Sequence, residues 1–366
     1  DAEAEKWKEE NNTKGWHLKY YKGLGTSTAK EFKEYFNKKK VICFKFGGED
    51  CNQSIDKVFN KKRADDRKMW LSNYQKDAVL DTNAQQIRYE DFIDKEMIHY
   101  SKYDCERSIP NLMDGFKPSQ RKIMFGAFKR NLVKEVKVAQ LSGYISEHAA
   151  YHHGEMSLQK AIIGMAQEFL GANNIALLMP NGQFGTRLEG GKDSASPRYI
   201  FTQLNKLTKI IFNENDKCVL NYLDDDGTKI EPDFYAPIVP MILINGAEGI
   251  GTGFSSRILC YNPNDIMNYL RCILHKQTVR PELKPYYEGF KGTTTKIGSH
   301  KWCFKGRYNI VNHIVVHVTD LPVGVWTNDF KQNLEKLMVS SKQKKEPIVK
   351  KYSDMSTDVV IDFKIT

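Results

Sequence analysis

Arg198 and Tyr199 are the pair of residues with the clearest chemical potential in the chain. They follow GQFGTRLEGGKDSASP, a stretch rich in glycine and polar residues, and precede an apolar run. A free tyrosine has a pKa of about 10, so only about one phenol in a thousand is ionised at neutral pH. A neighbouring guanidinium favours the phenolate and stabilises the charge that develops during attack on a phosphodiester. The pair therefore predicts a nucleophile that forms a phosphotyrosine, although an Arg-Tyr dipeptide alone is common.

The residues around this pair predict the start of a helix. Ser196 is suited to an N-cap and Pro197 to a first helical turn. Arg198 and Tyr199 would then lie in that turn. The positive end of the helix dipole favours a phosphate there.

Two histidines, His152 and His153, precede a predicted helix in YHHGEMS. They make a weak metal site because no HExxH pair or other ligand set accompanies them. Imidazole can instead hold a phosphate oxygen or transfer a proton. A role at a phosphate and a structural, hydrogen-bonded role both remain open.

Glycines alternate in INGAEGIGTGFSS, residues 244–256. The stretch lacks the GxGxxG spacing and the P-loop lysine, which excludes the usual nucleotide-binding loops. It predicts instead a close approach of backbone segments. Ile250, if exposed, could insert between base pairs and bend DNA, whereas the alternative is an isoleucine buried in a turn.

The densest basic stretch, from Lys117 to Lys137, holds seven Lys or Arg residues against one acid. It begins with a predicted helix after Pro118, and KEVKVAQLSGYI behind that helix alternates as a strand does. This order predicts a winged helix-turn-helix in which Arg121 and Lys122 contact DNA phosphates. A solvated helix face is the alternative.

The remaining segments predict an α+β chain of several domains. WHLKYY, KGLGTST and AKEFKEYFNKKK predict a strand, a turn and a helix, the end of an α/β domain over residues 1–60. Residues 61–85 predict a linker. YEDFIDKEMIHYSK predicts a helix, EMSLQKAIIGMAQEFL a core helix, and the chain past residue 262 a separate α/β module.

Composition restricts the class of protein. Lys and Arg outnumber Asp and Glu by 55 to 45, a net charge of +10 that favours a polyanionic partner. No apolar run approaches the roughly 18 residues of a membrane span, so we expect no membrane partner. Seven cysteines without a CxxC pair indicate a reducing compartment. The lack of an initiator Met and the strand-like VVIDFKIT at the end predict that both ends are cuts in a larger protein.

A set of motifs, taken in order, resembles the eukaryotic-type DNA topoisomerase II family of type IIA topoisomerases. The motifs are YYKGLGTSTAKEFKEYF, DDRKMW, ERSIPNLMDGFKPSQRK, EVKVAQL, YHHGEMS, GQFGTR, GGKDSASPRYI and PMILINGAEGIGTG. The resemblance covers residues 16–260, is weaker at 71–88 and 273–310, and resumes at TDLPVGVWT. SPRYI distinguishes the chain from the bacterial gyrase branch.

The resemblance implies that the enzyme changes DNA topology through a transient double-strand break. Tyr199 matches the nucleophile that joins the DNA 5′ phosphate, and Arg198 matches the group that stabilises the transition state. The positions that assist at the scissile phosphate are matched by His152, His153 and Arg107.

DNA contacts are implied in the same way. Ile250 matches the residue that intercalates and bends the duplex. The other DNA-contacting positions are matched by Arg67, Lys68, Lys117, Tyr151 and Ser157.

The domains that the resemblance implies are the end of a TOPRIM domain at 1–60, a linker at 61–85, a winged-helix DNA-gate domain at 86–262 and part of the tower domain at 263–366. It also implies Mg²⁺ held by an upstream glutamate and a DxDxD motif that this chain does not contain, ATP bound by a further N-terminal region, and a homodimer. We therefore expect residues 1–366 to bind double-stranded DNA but to be inactive in cleavage alone. The nucleus is expected for a cellular enzyme and a cytoplasmic factory for a viral one.

Two other functions share part of this pattern. A noncatalytic winged-helix protein that bends DNA would need only the basic helix and Ile250. A tyrosine recombinase or a single-strand-breaking topoisomerase would also use Tyr199. KYYKGLGTST resembles a TOPRIM remnant, which disfavours the second alternative.

Overall fold

A computed structural model describes residues 2–17, 19, 21, 24–39, 41–81, 83–225, 227–339 and 347–366. The chain divides into two compact units, residues 1–105 with 251–254 and residues 106–250 with 255–366. Both belong to an α+β protein with small sheets, which confirms the predicted fold class. No helix in the described ranges is long and apolar enough to cross a membrane.

The first unit consists of short helices around one pair of parallel strands. Strand β1 (Cys43–Lys45) pairs with β2 (Gln86–Arg88). The helices are α1 (Ala2–Glu10), α2 (Ala29–Asn37), α3 (Glu49–Phe59), α4 (Ala64–Ser72), α5 (Tyr89–Phe92) and most of α6 (Ile98–Ser108), with a π turn at Ile93–Met97 between the last two. A small core is formed by Val58, Trp70, Leu71, Ile93 and Ile98.

The predicted helix after KGLGTST is confirmed as α2. Thr28 caps it, because its side chain accepts from the Glu31 N–H while the Glu31 carboxylate accepts from the Thr28 N–H. Part of the preceding turn forms a 3-10 segment at Leu24–Thr26. The rest of that turn, residues 22 and 23, lies outside the described residues.

Two other predictions for this unit are wrong in part. The strand expected at WHLKYY is not found at positions 16, 17, 19 and 21, and positions 18 and 20 lie outside the described residues. Residues 64–72 of the predicted linker form α4 instead, because Trp70 and Leu71 bury their side chains in the core.

Three helices form the centre of the second unit: α7 (Pro118–Lys129), α8 (Val138–His148) and α9 (Glu155–Ala166). The predicted helix after Pro118 and the predicted core helix are confirmed as α7 and α9, and Met124 and Ile162 are among their buried side chains. Strand β3 (Val136–Lys137) pairs antiparallel with β4 (Phe201–Thr202). Three packed helices with a small sheet are the arrangement of a winged helix-turn-helix.

The strand predicted at KEVKVAQLSGYI is largely wrong. Only Val136 and Lys137 are extended, and the rest forms α8. Val138, Leu141 and Ile145 are fully buried, and their spacing of three and four residues is that of a helix face. Burial of these apolar side chains on one face of a helix therefore outweighs the short alternation of polar and apolar residues at the start of the segment.

Among the described residues, the rest of the chain after β4 adds three strand pairs and a C-terminal sheet. In chain order its elements are α10 (Lys206–Ile211), a 3-10 segment (Glu214–Cys218), β5 (Tyr222–Asp225), β6 (Thr228–Pro232), α11 (Met241–Ile244), β7 (Ala247–Gly251), β8 (Phe254–Ile258), α12 (Pro263–Leu274), β9 (Thr293–Gly298), β10 (Lys301–Lys305), β11 (Arg307–Asn312), β12 (Val315–Asp320), α13 (Thr327–Met338), β13 (Tyr352–Asp354) and β14 (Phe363–Ile365). The C-terminal sheet has the order β11-β12-β14-β13 and is antiparallel. Leu334 of α13 and Phe363 of β14 are buried together in its core.

Candidate functional site

Arg198 and Tyr199 lie in a turn, not in the first turn of a helix. The Tyr199 N–H donates to the Ser196 carbonyl at 2.9 Å, and the chain then extends into β4. The predicted helix does not form, because Ile200 is buried and Phe201 pairs with Lys137 and Asn181 in extended backbone. No helix dipole therefore begins at this pair.

The turn is fixed by the main chain of α8. The Val138 N–H donates to the Ile200 carbonyl at 3.0 Å, and the Ala139 N–H donates to the Pro197 carbonyl at 3.1 Å. N–H groups in the first turn of a helix have no partner inside that helix, so these two are free to hold the loop. The Tyr199 side chain is nevertheless 76% exposed, and Arg198 is exposed beside it. A fixed backbone thus presents a phenol and a guanidinium to solvent.

The glycine-rich loop ahead of Tyr199 is ordered by hydrogen bonds of its own. Gln167 Nε2 donates to the carbonyls of Phe184 at 2.8 Å and Gly191 at 3.1 Å. Arg187 forms a buried ion pair with Asp320, on β12. These contacts hold the loop at both ends of its glycine-rich part.

The two histidines lie in a loop, residues 149–154, between α8 and α9. His152 Nε2 lies 3.4 Å from Asp225 Oδ2, at the end of β5. The His153 ring meets the Tyr151 ring edge to face, with centroids 5.5 Å apart. Both imidazoles are exposed.

The β5-β6 hairpin holds this histidine loop at a second point. Lys122 Nζ donates to the Ala149 carbonyl and lies 2.9 Å from Glu231 Oε2, on β6. Glu231 is buried. One hairpin therefore contacts the loop through Asp225 and, by way of Lys122, through Glu231.

Ser142 of α8 lies between the Tyr199 turn and the start of α9. Its Oγ donates to the Ala139 carbonyl at 3.1 Å. Ala139 is also the residue whose N–H donates to the Pro197 carbonyl in the turn. The same Oγ lies 3.4 Å from Glu155 Oε1, in the first turn of α9. The structure thus brings the Tyr199 turn and the residues that follow the histidines to the first half of α8.

Arg121 and Lys122 contradict their predicted role as phosphate contacts. The Arg121 guanidinium is buried and binds both carboxylate oxygens of Asp114, at 2.8 and 3.1 Å. Lys122 is occupied by Glu231, as described above. The sequence shows the density of basic residues on α7 but not which of its faces packs inward.

The other predicted residues of the second unit are at or near its surface. Lys117 is half-buried at the N-cap of α7, where its N–H donates to Gln120 Oε1 at 2.9 Å. Tyr151 packs partly against the core. Ser157 is exposed in the first turn of α9, and Arg107 is exposed at the end of α6.

Arg67 and Lys68 lie on α4 in the first unit. Arg67 Nη1 donates to three carbonyls at the end of α3, including that of Asn60 at 2.6 Å. A cation at the C-terminus of a helix is stabilised by the helix dipole. Lys68 is exposed and pairs with Asp65 at 2.8 Å. The observed contacts of both residues are therefore local.

Ile250 lies on β7, in the hairpin that contains the alternating glycines, and is 73% exposed. A Cβ on Gly249 would lie 2.3 Å from the Ser108 carbonyl oxygen, and one on Gly251 would lie 3.0 Å from Cys105 Cα. These close contacts with α6 confirm the predicted approach of backbone segments. Because successive side chains of a strand alternate, Ile250 lies on the opposite face and is not buried in a turn.

Several residues that shape the site were missed by sequence reasoning. Asp225 is 73 residues from His152, and no local pattern links the two. The only signal was the acidic run before Gly227, which is typical of a turn. Among the described residues, no group of three His, Cys, Asp or Glu side chains could hold a metal ion.

The chain is similar in sequence to known proteins. Residues 107–366 match the family of DNA gyrase/topoisomerase IV A-type subunits, and residues 1–105 match the C-terminal associated domain of TOPRIM. DNA topoisomerase 2 of Plasmodium falciparum is 49% identical over 367 residues, 100% of this chain and 26% of that protein. Human DNA topoisomerase 2-alpha is 45% identical over 376 residues, 99% of this chain and 24% of that protein.

A solved structure is also similar along the whole chain. It is the crystal structure of the Plasmodium falciparum topoisomerase II DNA-binding, cleavage and re-ligation domain, with a TM-score of 0.80 and 49% identity. The similarity covers 100% of this chain and 50% of the chain in that structure. The chain spans about a quarter of the length of the curated relatives that it matches. By its match over residues 107–366, the chain belongs to the family of DNA gyrase/topoisomerase IV A-type subunits, and within it the chain is similar to the eukaryotic DNA topoisomerase 2 enzymes.

Proposed function

We propose that this chain is the DNA-cleavage part of a topoisomerase II that passes one duplex through a transient break in another. The observation that carries the proposal is the turn at Tyr199, whose backbone is fixed by α8 while its phenol and the neighbouring Arg198 guanidinium are exposed. The similar solved structure, which is described as a topoisomerase II DNA-binding, cleavage and re-ligation domain, supports it.

In the proposed reaction, Tyr199 Oη attacks a backbone phosphorus of DNA. The Oη–P bond forms as the bond from phosphorus to the 3′ oxygen breaks, which leaves a 5′ phosphotyrosine and a 3′ hydroxyl. The phenol proton leaves, and the 3′ oxygen takes up a proton. Arg198 stabilises the charge on the nonbridging oxygens. The reverse attack by the 3′ hydroxyl reseals the strand.

We assign supporting roles at the phosphate to His152, His153 and Arg107. An imidazole can bind a phosphate oxygen or transfer the proton that Tyr199 releases. The carboxylate of Asp225 favours a proton on Nε2 of His152, so that Nδ1 is the nitrogen left to accept a hydrogen bond.

We further propose that each unit contacts DNA through exposed residues of its own. Ile250 would insert between base pairs, as an exposed apolar side chain can. Phosphate contacts are assigned to Arg67, Lys68, Lys117, Tyr151 and Ser157. In place of Arg121 and Lys122 we assign the exposed basic residues that follow α7, which are Arg130, Lys134 and Lys137.

The whole enzyme would work as a homodimer with Mg²⁺ and ATP. We assign both cofactors to parts of the protein outside residues 1–366, because the metal motif implied by the resemblance does not occur in this sequence. Mg²⁺ would supply charge stabilisation at the scissile phosphate. Eukaryotic relatives favour the nucleus as its location.

Trapping covalent complexes with denaturant tests the proposal. The full-length protein is mixed with supercoiled DNA and Mg²⁺, stopped with detergent, and assayed for DNA that carries protein. Wild type and Tyr308→Phe, whose tyrosine is exposed on β11, should both form adducts. Tyr199→Phe should form none. Adducts retained in Tyr199→Phe would refute the assignment of the nucleophile.

A further inference from the structure

A cavity of about 530 Å³ lies in the second unit, away from the Tyr199 turn and the histidine loop. It is bounded by α7, by the 3-10 segment Glu214–Cys218 and by the β5-β6 hairpin. Pockets for small molecules have volumes of about 300–1,000 Å³. The cavity is therefore large enough for one small ligand.

Five aromatic rings line the cavity. Its rings are those of Phe125, Phe128, Phe212, Tyr222 and Tyr235. The Tyr235 ring meets the Phe128 and Phe212 rings edge to face, with centroids 5.6 and 5.8 Å away. Offset and edge-to-face contacts are the preferred packing of aromatic rings. A planar aromatic molecule would extend the packing that the walls already have.

Tyr235 supplies a hydroxyl group to the aromatic part of the cavity wall. Its side chain is 7% exposed, and its backbone N–H donates to Asp114. Burial raises the pKa of Tyr235, so the hydroxyl stays protonated at neutral pH. A protonated phenol in the wall can donate a hydrogen bond to a ligand in the cavity.

The rim of the cavity carries an excess of positive charge. Lys129, Lys217 and Lys229 stand against two acids, Glu214 and Asp216. Lys217 Nζ lies 3.9 Å from Glu214 Oε1, so the charges of these two residues offset each other. Lys129 and Lys229 face a single remaining acid, so the rim favours an anion.

We propose that this cavity binds a planar aromatic molecule that carries one anionic group. The ring lies between the aromatic walls, the Tyr235 hydroxyl donates a hydrogen bond to the ligand, and Lys129 and Lys229 attract the anion. Tyr222 and Lys229 belong to the hairpin that carries Asp225, so the ligand contacts the element that binds His152. Any effect on DNA cleavage through this hairpin rests on the proposed function, whereas binding does not.

Calorimetric titration with 2-naphthoate tests the proposal without a cleavage assay. We expect saturable binding with a dissociation constant below about 1 mM. Ala236→Trp places an indole in the cavity and should weaken binding at least about tenfold, since the ring displaces the ligand. Ile238→Trp, at an exposed neighbour that does not line the cavity, should bind as wild type does.

Two further comparisons separate the polar contacts. Tyr235→Phe keeps the ring and loses the hydroxyl, and should weaken binding about threefold or more.

The uncharged 2-naphthamide should bind more weakly than 2-naphthoate. The double variant Lys129→Gln with Lys229→Gln should remove that difference in affinity. No saturable binding of 2-naphthoate, or equal affinity in wild type and in both Ala236→Trp and Tyr235→Phe, would overturn the proposal. Equal affinity for the acid and the amide would overturn its anionic part.

Discussion

The Tyr199 turn and the histidine loop are fixed by different kinds of contact. Main-chain hydrogen bonds hold the turn, from Val138 and Ala139 to the carbonyls around Tyr199. Charged side chains hold the loop, through Lys122 and Asp225. The turn should therefore tolerate a change of its own side chains, whereas the loop should depend on charges that lie far away in sequence.

The largest effect on stability is expected at Lys122. Lys122→Met leaves the buried Glu231 carboxylate unpaired and removes the donor to the Ala149 carbonyl. Breaking a buried ion pair costs about 3–5 kcal/mol of unfolding free energy. Urea denaturation should show this loss, and Lys160→Met, at an exposed site on α9, should change stability by less than about 0.5 kcal/mol.

A double variant sharpens this prediction. Lys122→Met with Glu231→Leu removes both charges and should recover most of the lost stability, because no buried charge remains unpaired. A double variant as unstable as Lys122→Met alone would show that the charge pair is not what holds the histidine loop.

For the loop ahead of the Tyr199 turn, a loss of stability is expected at Gln167. Gln167→Leu removes the donor to the carbonyls of Phe184 and Gly191, in the loop ahead of the turn. We expect a loss of about 1–3 kcal/mol in urea denaturation together with fewer covalent adducts. Glu168→Leu, at the exposed neighbour, is the control, and an equal effect there would contradict the role of Gln167.

A smaller effect is expected at Asp225, because its pair with His152 is partly exposed. Such pairs are worth at most about 1 kcal/mol, so Asp225→Asn should slow adduct formation by no more than about fivefold. High salt should reduce the difference from wild type. Asp233→Asn, an exposed acid beyond β6, should have no effect. A rate loss of Asp225→Asn that does not depend on salt would argue against an electrostatic role.

The smallest effect on stability is expected at Tyr199 itself. Tyr199→Phe removes a hydroxyl from an exposed side chain and leaves the main-chain hydrogen bonds of the turn intact. Its unfolding free energy should stay within about 0.5 kcal/mol of wild type. A larger loss would mean that the phenol is part of what holds the turn.

Features that depend on neighbouring residues could be predicted from the sequence. The apolar residues of EMSLQKAIIGMAQEFL predict a core helix, and Leu158 and Ile162 of α9 are fully buried. The alternating glycines around Ile250 predicted a close approach of backbone, which the contacts with α6 confirm. Both the helical spacing of apolar residues and the lack of a side chain at glycine can be recognised from residues that are close together in the sequence.

Features that depend on contacts between distant residues could not be predicted from the sequence. Ser196 and Pro197 are residues that often begin a helix. Phe201 nevertheless pairs with Lys137, so the chain forms a strand there instead. Arg121 could not be placed in the interior without knowing that Asp114 and Tyr235 meet there. The contact between His152 and Asp225 likewise depends on the fold.

Identifying the residue that carries DNA tests the central claim most directly. Adducts formed by the full-length protein are trapped with detergent, trimmed with nuclease, digested with protease and analysed by fragmentation mass spectrometry. The proposed mechanism predicts a nucleotide attached through its 5′ phosphate to Tyr199. A nucleotide on any other residue, or attached through a 3′ phosphate, would contradict it.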